Sequence, residues 1–290
     1  MSHIDGLWHS TIMGADYDRL LQPLQDLFGA VVMHDHHMER PEVGRRGGMI
    51  WVGDNSIEIG APVGDQSPVR KFVERLGGGM HSIALRTSDI EATRDWVLGH
   101  DMEEGVRIAD SVFFSRSEGS HGLLLEWSAM RTDDDPRFGF EPPYPKPEDP
   151  VAPALRYGFV SAAVVDPVAA AEKLAVIMDT EVLRSVPGTG PGEIGAMVSL
   201  VDCVLVLHTL PASPEDWPWG PAPTRPRFTG QGLQVEDLPK ALAALEAVGV
   251  RAVAELEHAV LLDPAGTPAP TFLFDELFDE DPRRGADTSV

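Results

Sequence analysis

His9 stands in Leu7-Trp8-His9-Ser10-Thr11-Ile12-Met13, and His81 in Met80-His81-Ser82-Ile83-Ala84-Leu85-Arg86. Each apolar, strand-like stretch leads into an acidic residue and a helix-like run, at Asp16 and at Ser88-Asp89. A carboxylate in a strand context then follows each, Glu58 in Ile57-Glu58-Ile59 and Glu126 in Leu124-Leu125-Glu126-Trp127. Imidazole nitrogen and carboxylate oxygen together suit Zn, Fe(II), Mn, Co or Ni better than Ca. A repeated unit with a His on its first strand and an acid on its last can close such a site between two copies. An ionised carboxylate among apolar neighbours must be paired, hydrogen-bonded or metal-bound, and both Glu58 and Glu126 face that demand. His9, Glu58 and Glu126 are therefore read as ligands of one divalent ion, with Glu126 or Glu58 as catalytic base where not engaged by it.

His81 is the fourth metal-ligand candidate. Strict alternation along a strand groups it with Ile83 and Leu85, the apolar set, and turns Ser82, Ala84 and Arg86 to the cleft. Either a bulge at the start of the strand turns His81 inward, or Ser82 holds that position. Other candidates have plainer readings. His34, His36 and His37 suit a solvated strand end, and His121 in Gly119-Ser120-His121-Gly122 suits a turn. Arg45 and Arg46 read by default as an exposed basic pair and otherwise as a hold for an anionic substrate. Gly77-Gly78-Gly79 lacks the spacing of a phosphate loop. Cys203, the single cysteine, sits in an apolar run and reads as a buried structural thiol.

The elements that must position these groups follow one grammar. Strand 7–13 precedes a helix of about 16–28, with Asp16 as cap, Gly29 as stop and Pro23 as an internal defect. Strands are expected near 31–36, 48–52 and 56–60, then a short helix opened by Ser67-Pro68. The order repeats as strand 80–86, a helix over 88–99 opened by a Ser88–Glu91 capping box, and strands near 106–109, 111–115 and 122–127. The second half reads as strand 157–165, a helix from Asp166-Pro167 to about Met178, and strands near 181–185, 195–200 and 203–208. Strand 231–235, helix 237–248 and strands near 251–255, 258–262 and 270–274 complete it. Four copies of one β-α-β-β-β unit describe the chain.

The limits expected are 1–130 for a metal-binding domain, 131–154 for a proline-rich linker, 155–278 for a second, ligand-depleted domain and 279–290 for a frayed acidic tail. The net charge of −23, from 23 basic and 46 acidic residues, argues against nucleic-acid and anionic-membrane partners. No apolar run spans a membrane and no signal-peptide pattern opens the chain. A reducing cytoplasm, a small-molecule substrate and a second copy of the chain are the expected surroundings.

These stretches resemble the vicinal oxygen chelate superfamily, which includes glyoxalase I, bleomycin resistance proteins, methylmalonyl-CoA epimerase and extradiol dioxygenases. The first half is most similar to the epimerase branch, through Trp8-His9 to Leu27-Phe28-Gly29, Ile57-Glu58-Ile59-Gly60-Ala61-Pro62, Ser67 to Phe72, Gly78 to Ala84 and Leu123-Leu124-Leu125-Glu126. The resemblance implies an α+β fold of four tandem units forming two cupped sheets, with His9, Glu58 and Glu126 on metal-ligand positions. It departs from the epimerases at Ser82, where they write a second His, and at Gly47-Gly48-Met49-Ile50, where they carry a base. The second half has Phe159 where the first has His9, with the counterparts of Glu58 and Glu126 expected within Val204-Leu205-Val206 and near Phe274. It is read as scaffold whose apolar cleft is still able to take part of a large substrate. The activity implied is a metal-dependent isomerase or lyase of a small oxygenated substrate, working through a metal-stabilised enolate. The alternatives are an Fe(II) extradiol-type dioxygenase using His9, His81 and Glu126, and a non-catalytic binding or resistance protein.

Overall fold

The computed structural model describes residues 3–33, 39–40, 44–65, 67–131, 147–217, 219 and 222–284. His34, His36 and His37 lie outside the described residues, as does most of the proline-rich stretch.

The first unit is β1 (Gly6–Met13), α1 (Tyr17–Phe28), β2 (Val31–Val32), β3 (Glu39–Arg40), β4 (Arg45–Val52) and β5 (Asn55–Pro62), followed by α2 (Pro68–Leu76). The second is β6 (Gly79–Arg86), α3 (Ile90–Gly99), β7 (Glu104–Ala109), β8 (Val112–Ser115) and β9 (Leu125–Ser128). The third is β10 (Arg156–Val164), α4 (Pro167–Met178), β11 (Val182–Ser185), β12 (Ile194–Ser199) and β13 (Val204–Thr209). The fourth is β14 (Arg227–Gln234), α5 (Leu238–Ala247), β15 (Ala252–Leu256), β16 (Ala259–Leu262) and β17 (Thr271–Phe274). This is the α+β architecture of four β-α-β-β-β units in two sheets. One sheet runs β2-β4-β5-β1-β6-β9-β8-β7 with β3 beside β4, and the other β11-β12-β13-β10-β14-β17-β16-β15.

The connectivity explains why a His on a first strand meets acids on last strands. In every unit the last strand returns parallel to the first, as β5 does beside β1 and β9 beside β6. The first strands of paired units then join antiparallel at the sheet centre, β1 on β6 and β10 on β14. His9, Glu58 and Glu126 are brought to three adjacent central strands by topology alone.

Local chemistry sets the helix ends. The Asp16 carboxylate accepts from Arg19 N–H at 3.0 Å and Gly29 closes α1 in the left-handed region. Pro23 inside α1 costs about 3 kcal/mol as an interior proline. Burial of Leu20, Leu24, Leu27 and Phe28, each worth roughly 1.5–3 kcal/mol, outweighs it. At α3 the cap is Asp89, whose carboxylate accepts from Ala92 N–H at 3.0 Å, and not Ser88. The ionised carboxylate is the stronger acceptor for the free N–H groups of a first turn, and Ser88 is left exposed before it.

One apolar cluster, including Leu7, Ile57 and Leu125 of the first sheet and Val160, Leu205 and Leu233 of the second, runs through both halves. Polar ties cross beside it: Leu7 N–H to Asp202 at 2.8 Å, Tyr157 N–H to Asp54 at 2.8 Å, and Lys173 Nζ to His100 O at 2.6 Å. The end of the connecting stretch is not free chain. Val151, Ala152 and Ala154 donate N–H groups to the Asp26, Leu27 and Phe28 carbonyls, the last-turn acceptors that α1 cannot satisfy itself.

Two expectations are corrected. The stretch from Asp279 is tied down as far as it is described: Arg283 donates to the Tyr157 and Gly158 carbonyls at 3.0 Å and pairs with buried Asp281 at 2.7 Å. The second cup is also not an open apolar cleft. Phe159, Phe272, Phe274 and Phe278 pack there with Trp217 and Trp219, ring centroids 5.4 to 5.8 Å from Phe159 for the three phenylalanines. Side chains of this size fill the space a substrate would need. Among the described residues, no helix is long and apolar enough to cross a membrane.

Candidate metal and acid-base centre in the first cup

Strand register sets which side chains share the cup. His9 lies beside Ser56 on one side and Ala84 on the other, and Ala84 lies beside Glu126. Thr11 lies beside Glu58, and Glu58 beside Met49. The opposite face of these strands, with Ile57, Ile83, Leu85 and Trp127, enters the core.

Three donors converge. His9 Nε2 is 3.7 Å from Glu58 Oε2 and 3.9 Å from Glu126 Oε2. The Thr11 hydroxyl donates to Glu58 Oε2 at 3.4 Å. Arg45 reaches Glu58 Oε1 at 2.5 Å, so the two carboxylate oxygens of Glu58 serve different partners. Side-chain exposure rises from 5% at His9 through 11% at Glu126 and 13% at Glu58 to 31% at Arg45. The cup therefore opens toward solvent on the Arg45 side.

The electrostatics separate the two acids. Burial pushes the Glu58 carboxyl up, but the charge of Arg45, then of His9 and His81, holds it below the ordinary value. Burial pushes Glu126 up to about 8, with the Glu58 charge adding to the rise. Two neighbouring acids thus have opposed protonation, Glu58 ionised and Glu126 carrying its proton. Arg45 is raised chiefly by Glu58.

A bulge settles the geometry of His81. Thr11 pairs with Ser82 while Ile12 pairs with Met80, leaving His81 as the extra residue. A bulge sets two consecutive residues against one on the partner strand, so His81 escapes the apolar face that alternation assigns it. Burial lowers it to about 4, with the charge of Glu58 opposing that shift. Its Nδ1 is 3.1 Å from the Ser82 hydroxyl and its ring stands edge-on to Phe72 at 4.8 Å. Ser82 is itself buried. The same bulge recurs in the second half, where Ser161 pairs with Gly230 and Ala162 with Phe228, leaving Thr229 extra.

The donor set fits a divalent ion, short of contraction. Two donors each about 2.1 Å from a tetrahedral ion lie about 3.4 Å apart, so the His9–carboxylate distances need to close by a few tenths of an ångström. Among the described residues no group of three or more His, Cys, Asp or Glu side chains is already drawn into a metal cage. The mixed nitrogen and oxygen chemistry suits Zn, Fe(II), Mn, Co or Ni. Arg45 holds one Glu58 oxygen and would compete with an ion for that group's charge, so His9 and Glu126 are the less encumbered donors.

The remaining candidates divide. Arg45 and Arg46 are not an exposed basic pair: Arg45 binds Glu58, and Arg46 binds Asp18 at 3.1 Å and lies 4.6 Å over the Tyr17 ring. Both find carboxylates because β4 lies beside β5 and the start of α1 is near. His121 is a left-handed turn residue closing the 3-10 turn Ser117–Ser120. Cys203 is buried and its thiol is raised by burial. In the second half Val206 occupies the Glu58 position, pairing with Ser161 as Glu58 pairs with Thr11. The Glu126 position is filled by Phe272, since Phe159 pairs with Gly232 and Gly232 with Phe272. Phe274 lies two residues further on. The partnership of Arg45 with Glu58 was missed from sequence; its one signal was a basic residue on the strand next to an acid among isoleucines.

Residues 8–113, in the first half of the chain, match the Glyoxalase/Bleomycin resistance protein/Dioxygenase superfamily. A solved structure of a mutant 4-hydroxymandelate synthase from Streptomyces coelicolor matches 97% of this chain and 96% of its own, with 15% identity and a TM-score of 0.62. A fusion of a xylose isomerase-like TIM barrel with 4-hydroxyphenylpyruvate dioxygenase matches 86% of this chain and 39% of its own, with 16% identity and a TM-score of 0.58. Methylmalonyl-CoA epimerase from Mycobacterium tuberculosis matches 44% of this chain and 89% of its own, with 24% identity and a TM-score of 0.39. The first two of these likenesses show the tandem fold. No curated protein sequence matches the chain.

Proposed function

We propose that the first cup is the centre of a metal-dependent isomerase or lyase acting on a small oxygenated substrate by moving a proton next to a carbonyl. The observation that carries this reading is the convergence of Glu58 and Glu126 oxygens on His9 Nε2 at 3.7 and 3.9 Å. His9 and Glu126, with Glu58, would hold the ion; when bound it supplies positive charge to substrate oxygens that gain negative charge in the reaction.

The chain's own groups divide the proton work. Arg45 keeps Glu58 ionised, so its Oε2 is able to accept a proton. Glu126, pushed up to about 8 in the metal-free cup, must give up its proton to hold the ion, which leaves Glu58 Oε2 as the base. His9 lies buried between them. The second half, with its cup filled by aromatic side chains, acts as scaffold.

Deuterium exchange at the carbon beside a carbonyl, followed by NMR on metal-loaded protein with a panel of β-keto acids and acyl thioesters including methylmalonyl-CoA, tests this. Exchange abolished in Glu58→Gln or Glu126→Gln supports it; no exchange on any substrate contradicts it. The His81 bulge favours one second reading. With His9 and Glu126 it offers a two-His, one-carboxylate set, the pattern of non-haem Fe(II) oxygenases. Oxygen uptake with Fe(II) and a catechol panel, lost in His81→Ala, would favour that dioxygenase reading, whereas proton exchange without oxygen uptake favours the first.

A further inference from the structure

Arg227 opens β14 in the second half, yet its side chain reaches the first. Its Nη2 donates to Gly78 O at 3.2 Å and its Nε to Phe228 O at 3.2 Å. The guanidinium lies 5.7 Å over the Phe72 ring, the ring that also stands against His81. A Cβ at Gly79 would fall 3.3 Å from Arg227 Nη2, and Gly79 has φ +101°. Glycine at that point both permits the backbone and admits the guanidinium.

Arg227 is half-buried, and that burial, with the charge of Arg225, lowers it from the ordinary arginine value. Among the described residues it pairs with no carboxylate, in a chain with twice as many acidic as basic residues. Arg45, Arg46, Arg94, Arg107, Arg184 and Arg283 each have one. A half-buried guanidinium served only by two carbonyls is incompletely compensated for its lost hydration. It also lies beside the cup: the Phe72 ring beneath it stands against His81, next to Ser82, which pairs with Thr11.

We propose that Arg227 is the anion-recognition residue of the first cup, holding a carboxylate or phosphate of the substrate while the reacting atoms enter between His9, Glu58 and Glu126. This rests on the reading of that cup as a substrate site. Guanidinium is the group that meets such anions bidentately, and the surrounding acidic surface repels them elsewhere. The second half then does more than support the first: it supplies one residue of the site.

Calorimetric titration of the full-length, metal-free protein with malonate and with inorganic phosphate tests this, repeated after loading with Co(II). Wild type is expected to bind at least one of the two, about tenfold or more tighter than Arg227→Ala, with part of the difference restored in Arg227→Lys. Loss confined to malonate assigns a carboxylate, and loss confined to phosphate assigns a phosphate. Wild type binding neither anion overturns the proposal, as does Arg227→Ala binding both as wild type does. A fall in thermal midpoint that accounts for lost binding, unrepaired by lysine, would show a structural role and overturn it too. Co(II) uptake, read from its visible absorption, is expected to be equal in wild type and Arg227→Ala. Its absence from both would sink the metal reading while leaving the metal-free titrations decisive for Arg227.

Discussion

His208 makes the second half sensitive to acid. It sits on β13, wholly buried, facing the aromatic fill of the second cup. Its Nδ1–H donates to Glu193 O at 3.0 Å, and its ring stands edge-on to Trp219 at 4.5 Å. Burial lowers it from 6.5 to about 4. At about 1.4 kcal/mol per unit, that gap is worth about 3 kcal/mol. Because the folded value is depressed, the unfolded chain binds the extra proton between pH 6.5 and 4. The contribution is therefore present above pH 6.5, is lost as pH falls toward 4, and changes no further below that. The absolute stability curve mixes several groups, since His81 shifts the same way and Glu126 the opposite way. The difference between wild type and His208→Asn isolates the term: Asn keeps a donor near Glu193 O and cannot titrate. Urea unfolding followed by tryptophan fluorescence, with Trp217 and Trp219 as local reporters, is run at pH 7.5, 6.5, 5.5 and 4.5. The variant starts less stable, from lost packing, and gains on wild type by about 2.5 kcal/mol between pH 7.5 and 4.5. A difference flat within about 0.5 kcal/mol would refute the reasoning.

Arg45→Met leaves Glu58 half-buried without its cation and costs about 1–3 kcal/mol, discounted for the partial exposure of the arginine; Arg45→Met with Glu58→Gln recovers most of it in urea unfolding. Phe159→Ala empties the centre of the second cup and costs about 3–5 kcal/mol, measured by thermal unfolding, with metal content per folded chain unchanged. Metal uptake by metal-free protein releases about one proton at pH 7, because Glu126 is pushed up to about 8 and must lose its proton to ligate. Near pH 9.5 it releases almost none, which calorimetry in buffers of different ionisation heat reads directly.

The sequence carried the frame because the frame is local. Asp16, Asp166 and Gly29 mark helix ends by side-chain chemistry of their own, and His9, Glu58 and Glu126 repeat at matching places in a repeated unit. What it hid depends on pairing register and long-range contact. The His81 bulge arises where Thr11 meets Ser82 and Ile12 meets Met80, which neither strand states alone. The Arg45–Glu58 pair needs β4 laid against β5. Phe272 replaces Phe274 as the Glu126 counterpart because β17 sets its register on β14, not on its own alternation. The filling of the second cup by Trp217 and Trp219 comes from an irregular segment with no periodicity. The docking of Arg283 against Tyr157 and Gly158 joins residues more than a hundred positions apart.

The central claim is that His9, Glu58 and Glu126 form one divalent metal centre in the first half. Metal content of untagged protein by elemental analysis, with His9→Ala and Glu126→Gln purified alongside, tests it most directly. One equivalent of a transition metal in wild type, lost in both variants while their folding midpoints persist, is the predicted result. Wild type without metal after loading, or metal undiminished in His9→Ala, would contradict it.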